Sequence, residues 1–160
     1  MKCRTNKVTR VDVSANTALT SWNVDDNQLT ELELSANTAL TSLNVSGNQL
    51  TALNVSANTK LTDLYVENNQ LTELDVSANT VLTNLGVSYN QLTSLDLSAN
   101  EQLFQLSAKG TSLTALRLGN LMTWDLFDVD NPTKVSLTAE TGTAIDLKTY
   151  APFFDASKVS

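Results

Sequence analysis

The chain has 160 residues, no histidine, one cysteine (Cys3) and 17 acidic against 10 basic residues, a net charge of −7. Without imidazoles or a second thiol it has no histidine-dependent acid–base or triad chemistry, no Cys/His zinc site and no intrachain disulfide. Its negative charge repels phosphate backbones, which argues against nucleic acid as a partner, and no apolar run approaches the roughly 18–20 residues of a bilayer span.

A 21-residue register starts at once. Cys3 and Asn6 stand one period before Val24 and Asn27, so residues 1–7 (MKCRTNK) read as most of a 10-residue half-repeat, cut partway through. No polar segment caps this end, and solenoid ends need protection. The expectation is therefore a piece of a longer protein. A free Cys3 thiol, or the open end itself, would then support an artefactual dimer. The opening MKCRTNKVTR also lacks the apolar core of a signal peptide.

From residue 8 to 112 the period repeats five times, with copies starting at Val8, Leu29, Leu50, Leu71 and Leu92. Each copy has an 11-residue half, as in LTELELSANTA, and a 10-residue half, as in LTSLNVSGNQ. Each half carries Leu-x-x-Leu-x-Leu/Val-x-x-Asn. Leu43 and Val45 alternate with Ser42, Asn44 and Ser46, the period of two of a half-buried strand. Strands this short bury too little alone. Stacked on copies about 4.8 Å away, they form a parallel sheet with a continuous apolar interior. The predicted fold is a repeat solenoid, mostly β with little helix, with extended segments on both sides of the coil.

Two asparagine series mark the turns: Asn16, Asn37, Asn58, Asn79 and Asn100, and Asn27, Asn48, Asn69 and Asn90. An inward amide can donate to one carbonyl and accept from one amide of a neighbouring coil, so both series are expected to form a structural ladder. Thr20, Thr41, Thr62 and Thr83, with Thr30, Thr51, Thr72 and Thr93, invite an ice-binding reading. Their place at a loop entrance favours hydroxyls bonded to local backbone instead. Trp22 occupies an inward leucine position and reads as core.

Past Gln102 the pattern decays. Residues 113–134 read as degenerate repeats, with Leu121, Trp124 and Leu126 as a shortened successor. Residues 135–160, where Leu137, Ile145, Leu147, Tyr150, Phe153 and Phe154 show no repeat spacing, read as a C-terminal cap. Asp128, Asp130 and Asn131 lack the glycine turn and distal glutamate of a calcium loop and read as a turn. No metal site and no cofactor is expected.

The alternation of LTxLxVSxNTx with LTxLxVSxNQ resembles bacterial leucine-rich-repeat surface proteins, in particular the internalin-J-like class with 21-residue repeats. That class often carries a cysteine where this chain has Val24, Val45, Val66 and Val87; Cys3 falls at the same position and looks like the remaining member of a cysteine ladder. The segment from Ala144 is similar to the one that follows the last repeat in such proteins. The resemblance implies a leucine-rich-repeat solenoid, a contact surface on the strands preceding NQL, and an extracellular or cell-surface location. The sequence departs from the pattern in showing no helical N-terminal cap of the internalin kind, no signal peptide and no wall-sorting motif.

Comparing the copies locates a variable face. The 11-residue halves end alike in VSAN or LSAN, while the outward positions of the 10-residue halves differ. Asn23, Asp25, Asn44, Ser46, Tyr65, Glu67, Ser88, Tyr89, Ser107 and Lys109 are the candidate partner-binding residues. Tyrosines join large contact area to a polar tip, although two among serines and asparagines make a sparse patch. Between Val11 and Ala108 Lys60 is the only basic residue, so the body steers toward basic partners. Glu31/Glu33 and Glu73/Asp75 could mimic a glycosidase carboxylate pair, but they are expected on a continuous convex sheet without a pocket. The expected function is non-enzymatic: an adhesin-like module binding a protein or glycan, without membrane insertion. The alternatives are a stalk or spacer, an ice-binding solenoid, and an engineered scaffold, which Trp22, Tyr65 and the irregular tail disfavour.

Overall fold

Short alternating runs give short strands. β1 (Ser21–Asn23), β2 (Ser42–Asn44), β3 (Asp63–Tyr65) and β4 (Asn84–Gly86) are each three residues with leucine or tryptophan at the centre. β5 (Ser94–Leu97) and β7 (Ala115–Leu118) lie in the 11-residue halves, and β6 (Gln105–Ser107) in a 10-residue half. β8 (Leu126–Asp128) and β9 (Ser136–Ala139) follow. The computed structural model describes residues 7–118 and, beyond them, the backbone of strands 126–128 and 136–139.

All pairing is parallel. β1, β2, β3, β4, β6 and β8 form a six-stranded sheet, and β5, β7 and β9 a three-stranded one. Each register step equals one repeat: Trp22 faces Leu43, Leu43 faces Leu64, Leu64 faces Leu85 and Leu85 faces Leu106. Because side chains alternate across a strand, this column lies inward along its whole length. Val24, Val45, Val66 and Val87 form a second column, and Leu29, Leu50, Leu71 and Leu92 a third, all buried. Burying each such side chain stabilises the fold by about 1.5–3 kcal/mol. Trp22, in the leucine column, is only 1% exposed.

The 11-residue half turns the chain with two successive reverse turns. Asn37 N donates to Leu34 O at 2.9 Å and Leu40 N to Asn37 O at 3.1 Å, and the same pair recurs at Asn58, Asn79 and Asn100. The corner after each of β1, β2, β3, β4 and β6 uses one left-handed residue: Asp26, Gly47, Asn68, Tyr89 and Gly110, with φ of 53°, 66°, 53°, 55° and 61°. No helix occurs among the described residues.

Three features refine the sequence reading. The 11-residue halves of the first four copies turn without pairing as strands, so the second face is a sheet only from β5 onward. The register also runs further than the periodicity suggests. Leu106 faces Phe127, so Phe127 rather than Trp124 takes the leucine place, and Leu116 faces Leu137 inside the expected cap. Finally, the threonine hydroxyls bond between coils: Thr41, Thr62 and Thr83 Oγ1 each donate to the carbonyl of the threonine one repeat earlier, at 3.0 Å. In-register stacking brings that carbonyl within hydrogen-bond reach, and the Thr62 hydroxyl shares its proton between it and Asp63 Oδ2. Cys3, Asn6, Trp124, Asp130, Asn131 and the tail from residue 140 lie outside the described residues.

Candidate interaction surface

The outward positions of the six-stranded sheet make rows that run across the coils. One row reads Ser21, Ser42, Asp63, Asn84 and Gln105; the next reads Asn23, Asn44, Tyr65, Gly86 and Ser107. A third, just past the strands, reads Asp25, Ser46, Glu67, Ser88 and Lys109. The left-handed corners supply Asp26, Asn68 and Tyr89 beyond them.

Hydrogen bonds within and between coils fix several of these side chains. Asn23 and Asn44 fold back, their Oδ1 atoms accepting from the amides of Asp25 and Ser46 at 3.0 Å. The Ser46 hydroxyl donates to Glu67 Oε2 at 2.6 Å. Asp63 Oδ2 accepts from the Thr62 hydroxyl at 2.7 Å and its Oδ1 from the Asn84 amide at 2.6 Å. Tyr65 stands between Asp63 and Glu67. Partial burial, then these two negative charges, hold its phenol above the ordinary value of 10.0.

Ser88 is the exception among the candidate residues. It is 4% exposed, its hydroxyl lies 2.7 Å from that of Ser107, and it accepts from the Lys109 amide at 3.0 Å. Its hydroxyl is turned into the coil, so Ser88 leaves the contact set and Ser107 keeps only part of its hydrogen-bonding capacity. Tyr89, by contrast, is 53% exposed. Its ring lies against the backbone of Gly110, where an added Cβ would stand 2.5 Å from Cδ1.

Tyr89 also carries a conformational cost. A left-handed φ of 55° is one that side chains other than glycine avoid by roughly 1–2 kcal/mol. The equivalent positions in neighbouring copies hold Gly47, Asn68 and Gly110, which tolerate it. Tyr89→Gly is expected to raise stability by about 1 kcal/mol, which shifts a chain of this size by about 2–4 °C in thermal unfolding. A lowered midpoint would show that the ring's contact with Gly110 outweighs the strain.

Both asparagine series are buried, apart from exposed Asn16, but they bond differently. Asn48 donates to Val24 O at 3.1 Å and Val45 O at 2.9 Å, while its Oδ1 accepts from Leu29 N at 3.0 Å. Asn69 and Asn90 follow the same scheme, and Asn27 shares its donation to Val24 O and its acceptance from Val8 N. Asn58 donates to Leu34 O and Asn37 O at 3.2 and 2.9 Å, but its Oδ1 has no partner among the described residues. Asn37, Asn79 and Asn100 share that donor-only arrangement. Asn16 contributes its backbone carbonyl, which accepts from Asn37.

The opposite face is not featureless, contrary to the sequence reading. An open depression of about 790 Å³ is lined by Asn54, Ser56, Glu73, Asp75, Ser94 and Asp96, among others. Hydrogen bonds from Ser77 and Ser98 hold Asp75 and Asp96 below the ordinary 3.8, and Ser35 does the same for Glu33 below 4.5. Those three carboxyls are ionised at neutral pH, whereas glycoside hydrolysis needs one kept protonated. Among the described residues no group of three or more His, Cys, Asp or Glu side chains could hold a metal ion, and no helix is long and apolar enough to cross a membrane.

With this geometry in place, known proteins can be compared. The leucine-rich-repeat family model matches residues 36–53. Among solved structures, the functional domain of InlJ from Listeria monocytogenes, described as including a cysteine ladder, is 33% identical with a TM-score of 0.74, over 86% of this chain and 35% of that one. A leucine-rich-repeat protein from Leptospira interrogans is 24% identical with a TM-score of 0.67, over 78% of this chain and 35% of that one. An internalin, InlF, from Listeria monocytogenes is 22% identical with a TM-score of 0.66, over 81% and 46%. The last two likenesses concern the fold alone. The chain spans about a third to a half of these three structures. No curated protein matches the sequence significantly.

Proposed function

From the premise that the chain is a leucine-rich-repeat solenoid of the internalin-like kind, a protein-interaction fold, we propose that it is a non-enzymatic, adhesin-like binding module. It engages a protein or glycan through the outward face of the six-stranded sheet. The observation that carries this is the contrast between the two halves of the repeat. The 11-residue halves keep Ser-Ala-Asn in every copy, whereas the outward rows of the sheet change from Asn to Tyr to Gly to Ser between adjacent coils. A face retained only for solubility has no reason to place tyrosine beside glycine, or to hold a tyrosine in a left-handed corner.

The contact residues proposed are Asn23, Asp25, Asn44, Ser46, Tyr65, Glu67, Tyr89, Ser107 and Lys109. Their acidic balance favours basic partners, with attraction that weakens as salt rises. Resemblance to internalin-like proteins supports an extracellular or cell-surface setting. The regular coils also suit a spacer that projects another domain, the reading that stands if this face binds nothing.

The test is a screen of immobilised glycans and extracellular proteins with the full chain, followed by Tyr65→Ala and Glu67→Lys. A retained ligand is expected to lose about tenfold in affinity with each change, the loss of one interface residue worth about 1.4 kcal/mol. A bound ligand indifferent to both changes would move the contact elsewhere and favour the spacer.

A further inference from the structure

The described glycines share a property that reaches beyond turn geometry. Each lies beneath an outward side chain of the preceding coil: Gly47 under Asp26, Gly86 under Glu67 and Gly110 under Tyr89. Gly47 and Gly110 also need their left-handed φ, but Gly86 does not. The missing side chain at Gly86 therefore has another consequence. It lets the Glu67 carboxylate lie flat across β4.

Resting on the reading of the six-stranded face as the contact surface, we propose that the step between Tyr65 and Gly86 seats an arginine side chain from an extended partner segment. Tyr65 and Gly86 are direct register partners, so the largest side chain of the row borders the smallest. Glu67 is held from the other side by the Ser46 hydroxyl and reaches over Gly86, bridging three coils. Asp63 is fixed by Thr62 and Asn84. Two ordered carboxylates thus flank one aromatic ring, and neither is met by a cation among the described residues.

A guanidinium fits this arrangement on three counts. Its plane stacks on an aromatic face, its fork pairs with a carboxylate, and it sheds water more readily than an ammonium. Burial first, and then the charges of Asp63 and Glu67, hold the Tyr65 phenol above its ordinary value. A neutral sugar could also stack on Tyr65, but it would gain nothing from that charge. Carboxylates already ordered by Ser46, Thr62 and Asn84 lose less freedom on binding than mobile ones.

The experiment is an amide-shift titration of the isotope-labelled full chain with acetyl-Gly-Gly-Arg-Gly-Gly-amide, against the same peptide with glutamine for arginine. Shifts are expected to centre on Tyr65, Glu67 and Gly86 with the arginine peptide and to vanish with the glutamine one. Glu67→Gln should weaken binding about fivefold, of the order expected for one charge contact beside an aromatic ring. Gly86→Ala should weaken it by a similar factor while leaving the fold intact. Its Cβ would collide with the carboxylate end of Glu67, a flexible group that can swing away, and the backbone there is not left-handed. Shifts spread evenly over the acidic body, or binding unchanged by both variants, would overturn the proposal. The two readings fail separately: a glycan or protein lost on Tyr65→Ala while the arginine peptide is silent overturns the arginine seat and leaves the contact face standing. A ligand indifferent to that face overturns the reading on which the seat rests.

Discussion

Asn69→Ala is expected to destabilise the fold more than Asn58→Ala, although the two asparagines stand at matching places in their half-repeats. Removing Asn69 orphans Leu50 N, which Oδ1 accepts from at 3.0 Å, and takes one of two donors from Val45 O and Val66 O, which keep Asn48 and Asn90. Removing Asn58 orphans no backbone group, because Leu34 O keeps Asn37 N and Asn37 O keeps Leu40 N. A lost hydrogen bond costs about 0.5–1.5 kcal/mol and a buried donor left unpaired about 1–3 kcal/mol, so about 1–3 kcal/mol is expected for Asn58 and at least about 1 kcal/mol beyond that for Asn69. An amide donor left facing apolar side chains is also rarer in folded proteins than a carbonyl missing one partner, which widens the gap. Urea denaturation of both variants measures it. Equal midpoints would mean that the acceptor bond to Leu50 contributes nothing, and unchanged midpoints would remove the structural role of both series.

This difference between the two series marks where sequence reasoning stops. Period-two alternation and a 21-residue repeat are enough to place Leu43, Leu64 and Leu85 in one inward column, because facing inward is a property of one residue and its neighbours in the chain. Bonds between coils depend on what lies one period away and at what height. The sequence therefore shows that Asn58 and Asn69 point inward, but not that Asn58 Oδ1 finds no donor. Ser46 and Ser88 make the same point. They occupy one row, yet Ser46 stays on the surface bonded to Glu67 while Ser88 turns toward Ser107 and the Lys109 amide. The signal for Gly86 was present in the sequence as Glu67 nineteen residues earlier. It becomes readable only once β3 and β4 are in register.

Strand pairing also runs further into the tail than the repeat marks do. Leu95, Leu116 and Leu137 are spaced by 21, but the residues between Leu116 and Leu137 lose the asparagine and threonine marks, so the periodicity fades before the strand pairing does. Backbone stacking tolerates the loss of side-chain ladders for a coil, since β7 and β9 pair through main-chain groups that every residue carries.

Leu64→Ala is expected to be among the costliest single changes in the chain, at about 3–5 kcal/mol, because truncating a fully buried leucine loses its transfer energy and leaves a cavity. Leu64 is 0% exposed and lies between Leu43 and Leu85, so the cavity loosens the contacts of β3 with both β2 and β4. In a solenoid each coil is stabilised only by its neighbours, and a weak central interface divides the chain into two shorter stacks. The variant should therefore unfold over a broader denaturant range as well as at a lower midpoint, because the two stacks no longer melt as one unit. Leu53→Ala provides the contrast: that leucine is 8% exposed in an 11-residue half that forms no strand, and its face can collapse over the space. Hydrogen exchange distinguishes the two cases. After Leu64→Ala, amides of β2 and β3 should exchange faster than those of β6, whereas Leu53→Ala should leave the six-stranded sheet protected along its length. Uniform loss of protection after Leu64→Ala would mean that the coils are coupled over more than their nearest neighbours.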